Sequence, residues 1–158
     1  MSPRRSSVFL EVFALAQSVG QLLRSTMAGA PLTPEEYAVY GVVFEEEAVT
    51  PTDMGRRLGM PKTTVMERVR LMEERGHVRR LANPADGRSY RLVLTAAGLA
   101  AHHASHELFI QAYRSFMKEF GGDELRAQSR LEQLRAAASA ASEKRDVGSV
   151  RRAGGVRM

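Results

Sequence analysis

The chain lacks several residues and motifs on which whole classes of protein depend. Its 158 residues include no cysteine and no tryptophan. Without cysteine there is no disulfide, thiolate zinc site, cysteine nucleophile or thiol redox sensor. There is no Gly-rich phosphate loop and no nucleophile elbow, and no paired carboxylates stand in a recognisable catalytic setting. The sequence therefore predicts neither an enzyme nor a bound cofactor.

Long apolar runs are absent too. No stretch of about 18 apolar residues could cross a bilayer. The first residues are basic and then apolar, as in a signal peptide, but Glu11 and Gln17 interrupt the apolar part in a helical pattern. We interpret this segment as a helix of the mature protein, and expect a cytoplasmic protein with no membrane partner.

Positive charge is concentrated in two segments. Thr50–Leu94 contains ten basic and five acidic residues, and Lys144–Met158 contains five and one. The rest of the chain contains eight basic and twelve acidic residues, so it is net acidic. Such an asymmetry favours a polyanionic partner for the middle segment, although a solvated surface of mixed charge gives the same count.

Caps and breaks predict six helices and one hairpin. Thr33, Pro34 and Glu36 form the pattern of a capping box, and Thr50, Pro51 and Asp53 repeat it. Gly59 and Gly76 end the helices that follow. The predicted helices span residues 8–27, 33–47, 50–58, 61–75, 95–120 and 124–142, and the strands are Val78–Ala82 and Tyr90–Leu94.

Periodicity assigns inner faces to these helices. Tyr37, Tyr40 and Phe44 are spaced to face a core in the second helix. In the fourth helix, Val65, Val69 and Met72 form the buried face, which leaves a polar face suited to hydrogen bonding. That face and its edges carry Lys62, Thr63, Met66, Glu67 and Arg70.

The order of the predicted elements is that of a winged helix-turn-helix: a helix, a short helix, a tight break, a helix and a hairpin. In such a unit the second helix of the pair enters the major groove of DNA. Lys62 and Arg70 suit phosphate or guanine, Glu67 suits the cytosine amino group, and Met66 suits a thymine methyl. An ordinary amphipathic surface helix is the alternative for this segment taken alone.

The motifs of this unit resemble those of the MarR family (multiple antibiotic resistance regulators) of bacterial transcription factors. They are "LTPEEYAVYGVV", "DMGRRLGMPKTTVMERVRLMEERGHVRR" and "NPADGRSYRLVLTAAG". The last is the most specific, since Asp86-Gly87-Arg88 is followed by an alternating strand. The resemblance covers Thr33–Thr95, and the flanking helices extend it to Val8–Ser142.

The resemblance implies a mainly α fold with a small β-wing, in which a winged helix-turn-helix domain joins an interleaved helical dimerisation domain. The expected domains are a DNA-binding domain over residues 32–94 and a dimerisation domain over residues 8–30 and 95–142. A disordered basic tail is expected at residues 143–158. The resemblance also implies a homodimer on a pseudo-palindromic operator, usually acting as a repressor.

The same resemblance identifies the residues expected to contact double-stranded DNA. Arg88 corresponds to the wing arginine that usually reaches the minor groove, while Asp86 braces the wing. Family members commonly carry Thr-Arg where this chain has Met66-Glu67, and an aliphatic residue where it has Arg68, so base preference does not transfer. The candidate set is Thr50, Thr52, Pro61, Lys62, Thr63, Thr64, Met66, Glu67, Arg68, Arg70, Arg88, Ser89 and Arg91.

Many members of the family release DNA when a small, often phenolic, molecule binds between the two domains. The candidate effector-binding residues are Phe13, Tyr37, Tyr40 and His102, although each aromatic residue also suits a plain core position. His102 and His106, four apart on one helix, are spaced for a metal ion. We keep two alternatives: a metal-responsive regulator using this pair, and a winged helix that binds protein.

Overall fold

The computed structural model describes residues 7–153, with side chains to residue 142. Over that range it contains six helices and one two-stranded antiparallel hairpin, which confirms the predicted mainly α class with a small β-wing. The described residues divide into two compact units, one ending at Lys118 and one beginning at Glu119. The elements are α1 Val8–Thr26, α2 Pro34–Glu45, α3 Pro51–Leu58, α4 Lys62–Glu74, β1 Val78–Ala82, β2 Tyr90–Leu94, α5 Ala96–Phe120 and α6 Glu124–Ala153.

The predicted caps set the helix starts. The Thr33 hydroxyl accepts from the Glu36 N–H over 3.2 Å, and the Glu36 carboxylate accepts from the Thr33 N–H over 2.9 Å, so the capping box is complete. At α3 the Thr50 hydroxyl accepts from the Asp53 N–H over 3.1 Å. Each bond satisfies a backbone donor that the first helical turn leaves without a partner.

The core of the first unit lies between α2, α3, α4 and the base of the hairpin. The predicted inner face of α4 is confirmed, since Val65, Val69 and Met72 are all buried. Phe44 was expected in this core, but its side chain is 45% exposed and stacks on His102 of α5 instead. The buried cluster comprises Leu32, Val39, Tyr40, Val42, Val43, Val49, Met54, Val65, Val69, Met72, Val78 and Leu92.

The hairpin is anchored at its base. Its register pairs Val78 with Leu94 and Ala82 with Tyr90. Leu92, which is fully buried, also forms a bridge to Val49, the residue before the α3 cap, with N–H···O distances of 2.8 and 3.2 Å. The hairpin is therefore held to the start of α3 by backbone bonds as well as by packing.

Helix α1 has an apolar stripe but buries none of its residues. Phe13, for example, is 62% exposed. In α5 the buried residues are Gly98, His102, Ser105 and Ala112 rather than the large apolar ones. Apart from His102, the buried residues of α5 are small, and its aromatic residues Tyr113, Phe116 and Phe120 are exposed.

Helix α6 forms most of the second unit. It runs to Ala153, beyond the end predicted at Ser142. The side chains of the tail expected at residues 143–158, and residues 154–158 altogether, lie outside the described residues, so the predicted disorder stays a prediction. Within the described range, no helix combines the length and apolarity that a membrane crossing requires.

Candidate nucleic-acid interface

The break between α3 and α4 brings the two helices into close contact. Gly59 adopts a left-handed conformation with φ of 66°, and the Met60 N–H bonds to the Gly55 carbonyl over 2.9 Å. A Cβ on Gly55 would lie 3.1 Å from both the Met60 oxygen and a Val65 methyl, so a side chain there would push the helices apart. The first turn of α4 is consequently held beside α3.

An open groove of about 440 Å³ lies between the start of α3, the start of α4 and the wing. It brings together six of the thirteen residues predicted to contact DNA, which come from three separate stretches of the chain. Those six are Thr50, Thr52, Lys62, Met66, Arg88 and Ser89; Pro51, Asp53, Asn83, Asp86 and Tyr90 complete the lining.

Asn83 organises the wing turn. Its side chain donates to the Ser89 hydroxyl over 2.7 Å and accepts from the Ala85 N–H over 3.2 Å. It also accepts from Nε of Arg91 over 3.1 Å, and its side chain is only 8% exposed. Asn side chains commonly bond to turn backbone in this way.

The wing arginines differ in what holds them. Arg91 is half-buried and bonded to Asn83, whereas Arg88 is exposed and, among the described residues, its guanidinium has no acidic partner. Asp86 fixes the backbone beneath Arg88 by accepting from the Arg88 N–H over 3.0 Å. The bracing role expected for Asp86 is thus to the backbone of the turn rather than to a basic side chain.

Two carboxylates lie in the same groove as Lys62 and Arg88, and both are engaged locally. Asp53 accepts from the Thr50 hydroxyl over 2.7 Å and pairs with Arg56 over 2.9 Å. The Asp86 carboxylate is held by the turn backbone. The ion pair with Arg56 reduces the repulsion that the Asp53 carboxylate would exert on a phosphate.

The remaining DNA candidates lie outside the groove. Pro61, Thr63 and Glu67 are exposed on α4, and Thr64 is half-buried. Arg70 is paired with Glu74 on the same helix.

Arg68 enters a separate small cleft with Glu36, Tyr40 and Arg75, where its Nε is buried without a partner.

A cluster of rings joins α2 to α5. Tyr37 stacks on His102 with ring centroids 5.1 Å apart, and its hydroxyl lies 2.7 Å from Nδ1 of His106. His102 is 4% exposed, and its Nδ1 is buried without a partner. Burial, followed by the nearby His103 and His106, lowers the pKa of His102 below its ordinary value, against a weaker opposing effect of Glu45.

Only part of the predicted effector set is brought together. Tyr37 and His102 are in contact, whereas the Tyr40 hydroxyl lies 2.9 Å from Nδ1 of His77 and Phe13 is exposed on α1. Among the described residues, no three side chains of the types that bind metals come close enough to hold an ion. His102 and His106 are engaged with aromatic neighbours instead.

Part of the chain matches the sequence pattern of a known family. Residues 30–89 match the profile of a family described as the MarR family. The HTH-type transcriptional regulator TtmR of Methylorubrum extorquens (strain PA1) is 33% identical over 93 residues, which are 59% of this chain and 48% of that protein. The chain thus spans about half the length of the curated relative it matches.

Solved structures share the whole fold. The M. tuberculosis transcriptional regulator MOSR, solved in complex with DNA, is 25% identical with a TM-score of 0.73, over 86% of this chain and 98% of that one. The PcaV regulator of Streptomyces coelicolor, solved with its natural ligand, is 22% identical with a TM-score of 0.69, over 89% and 98%.

Proposed function

We propose that the chain belongs to the MarR family, whose model matches residues 30–89, and that it regulates transcription by binding double-stranded DNA. Because the family is one of transcriptional regulators, this proposal excludes an enzyme, in agreement with the expectation from the sequence. We place its action in the cytoplasm, where a bacterial chromosome lies.

The groove between α3, α4 and the wing carries this proposal. It gathers Lys62 and Arg88 from distant parts of the chain on one surface. The exposed Thr52 also lines the groove and its hydroxyl suits a phosphate oxygen, whereas the hydroxyls of Thr50 and Ser89 already donate to Asp53 and to the Asp86 carbonyl. The exposed first turn of α4, with Thr63 and Lys62, is the part that would reach base edges, as in other helix-turn-helix proteins.

A homodimer is the second part of the proposal. Helix α1 presents an apolar stripe with no buried residue, and α6 exposes Leu125, Leu131 and Leu134. Apolar stripes of this length are normally covered. A two-fold dimer would place two reader helices about one DNA turn apart, which predicts a pseudo-palindromic operator.

Repression relieved by an organic effector is the third part. The similar PcaV was solved with its natural ligand. In this chain the stacked Tyr37, His102 and Phe44 rings supply flat apolar surfaces, and Nδ1 of His102 supplies a buried polar atom without a partner. A small phenolic or similar aromatic molecule combines a flat face with a hydrogen-bonding group, so it suits this cluster.

The two alternatives have less support. A metal-responsive regulator needs ligands beyond His102 and His106, and no three ligand-type side chains meet among the described residues. A winged helix that binds protein would not need an exposed cation at the tip of the wing, such as Arg88. Neither alternative is therefore carried further.

Selection of duplexes from a random-sequence pool by the full chain tests the proposal. A DNA-binding regulator should enrich one sequence with two related half-sites. Affinity for that duplex should fall by about 10³-fold or more between 50 and 200 mM salt, if at least about six phosphates are contacted by the dimer. Failure to enrich any sequence, or binding that does not respond to salt, would contradict it.

A further inference from the structure

Arg80 connects the reader helix to the wing. From β1 its Nη2 donates to Glu73 Oε2 of α4 over 2.9 Å, and its Nε donates to the other carboxylate oxygen. The guanidinium also lies 4.2 Å from the centroid of the Tyr90 ring on β2. Arg80 thus forms a bidentate ion pair with a carboxylate of α4 and a cation–π contact with an aromatic ring of the wing.

Tyr90 is the link from this connection to the groove. The register pairs Ala82 with Tyr90 and Arg80 with Leu92, so Arg80 and Tyr90 are diagonal neighbours across the hairpin. Tyr90 lines the groove together with Met66 of α4 and Arg88 of the wing tip. Arg80 itself is not among the residues that line the groove.

We propose that Arg80 is a positioning residue for DNA recognition, which sets the wing against α4 so that Arg88 and the first turn of α4 engage one duplex together. The inference rests on the proposed DNA-binding function. A minor-groove arginine contributes only when its distance from the reader helix matches the spacing of the DNA grooves. The Glu73–Arg80–Tyr90 connection is a side-chain contact between α4 and both strands of the wing, and it helps to fix this distance.

A purely structural role fits Arg80 poorly. The side chains of Arg80 and Glu73 are 50% and 30% exposed, and exposed ion pairs stabilise a fold only weakly. The hairpin is already anchored by the buried Leu92, which lies opposite Arg80 in the register, and by the backbone bridge from Leu92 to Val49. Loss of Arg80 should therefore loosen the angle of the wing without unfolding the domain.

The test measures affinity for the duplex that the wild-type chain selects from a random-sequence pool. The variants are Arg80→Gln and Glu73→Gln, each alone and combined with Arg88→Ala. Arg79→Gln is the matched control, since it removes the same charge from the neighbouring exposed position of β1, whose side chain points to the other face. Thermal melts of all variants confirm that each is folded.

The two single variants separate positioning from charge. Positioning predicts that Arg80→Gln and Glu73→Gln both weaken binding, although Glu73→Gln makes the protein more positive. Arg88→Ala should cost at least about twofold less affinity in the Arg80→Gln background than in the wild type or in Arg79→Gln. Tighter binding by Glu73→Gln, or an undiminished Arg88→Ala effect, would overturn the inference.

A second measurement is independent of DNA. Because the chain contains no cysteine, Thr63→Cys and Ala85→Cys accept spin labels at those two positions alone. Dilution with unlabelled chain isolates the distance within one protomer. Arg80→Gln should broaden that distance, and Arg79→Gln should not; equal distributions would overturn the inference. A wild-type chain that selects no duplex would instead refute the proposed function, and the distance would still decide the role of Arg80.

Discussion

Nε of Arg91 donates a hydrogen bond to Oδ1 of Asn83 over 3.1 Å, which ties the second strand of the wing to the first residue of its own turn. The sequence grouped Arg91 with Arg88 as a DNA-contacting residue. The structure gives the two side chains different surroundings, because Arg91 has a partner inside the turn and Arg88 is exposed. Arg88 is therefore the stronger candidate for the minor groove.

Asn83→Ala should destabilise the chain by about 1–3 kcal/mol, since it removes three hydrogen bonds of a buried side chain and leaves their partners unsatisfied. Urea denaturation followed by circular dichroism measures this change. Ala85→Ser, at an exposed position of the same turn, is the control and should be nearly neutral. Equal stability of the two variants would show that Asn83 does not organise the turn.

Arg88→Ala should weaken binding to the selected duplex by about 1–3 kcal/mol, because it removes the exposed cation at the wing tip. Melting temperature and dimerisation should not change, since Arg88 packs against no core residue. A gel-shift titration measures the affinity. Unchanged affinity would remove the wing from the proposed interface.

Gly98→Ala should destabilise the chain by about 1–3 kcal/mol. A Cβ on Gly98 would overlap the His77 carbonyl, and that carbonyl is already bonded to the Thr95 N–H over 2.9 Å. Gly87→Ala is the matched control, because nothing lies within 4 Å of a Cβ there. A thermal melt of each variant suffices, and a Gly98→Ala protein as stable as the control would be evidence against close packing of α5.

His102 should make stability fall in acid. Its pKa in the folded protein is lowered below the ordinary 6.5, chiefly by burial, so the unfolded chain takes up this proton more readily. The contribution of neutral His102 to the free energy of unfolding is therefore constant above about pH 6.5. It is lost as the pH falls from there toward the pKa of the folded protein, at up to about 1.4 kcal/mol per pH unit. His102→Leu should flatten this dependence.

Denaturation curves between pH 5 and 8 measure the effect of His102. The exposed neighbour His103 supplies the control, because His103→Gln should keep most of the acid loss. If His102→Leu and the wild type lose the same stability between pH 7 and 5, burial of neutral His102 is not the source.

Charges on the α1 stripe should disrupt the proposed dimer. Val12→Glu combined with Leu15→Glu places two carboxylates on the exposed apolar face and should convert dimer to monomer, since burying an unpaired charge is costly. Sedimentation velocity separates the two species. Gln17→Glu, at another exposed position of α1, should leave the dimer intact; a dimer retained by the double variant would exclude α1 from the interface.

Local chemistry made most of the fold predictable. The starts of α2 and α3 follow from Thr-Pro pairs with a carboxylate three residues after each threonine, and both caps form as expected. The strand bounds and the buried face of α4 follow from alternation and helical spacing. The exposure of Phe44 could not be predicted in this way, because helical spacing identifies a face of α2 but not that Phe44 stacks on a side chain of α5.

The sequence by itself determined the elements, their order and the exposed arginine of the wing, because caps, turns and periodicity act between residues close in the chain. Only the tertiary structure decided which side chains meet. It brings Thr50, Lys62 and Arg88 together in one groove. It also bonds Arg91 to Asn83, and it places Arg80 in contact with both Glu73 and Tyr90. Such contacts depend on how the helices and the hairpin pack across the core, and no pattern of neighbouring residues encodes that packing.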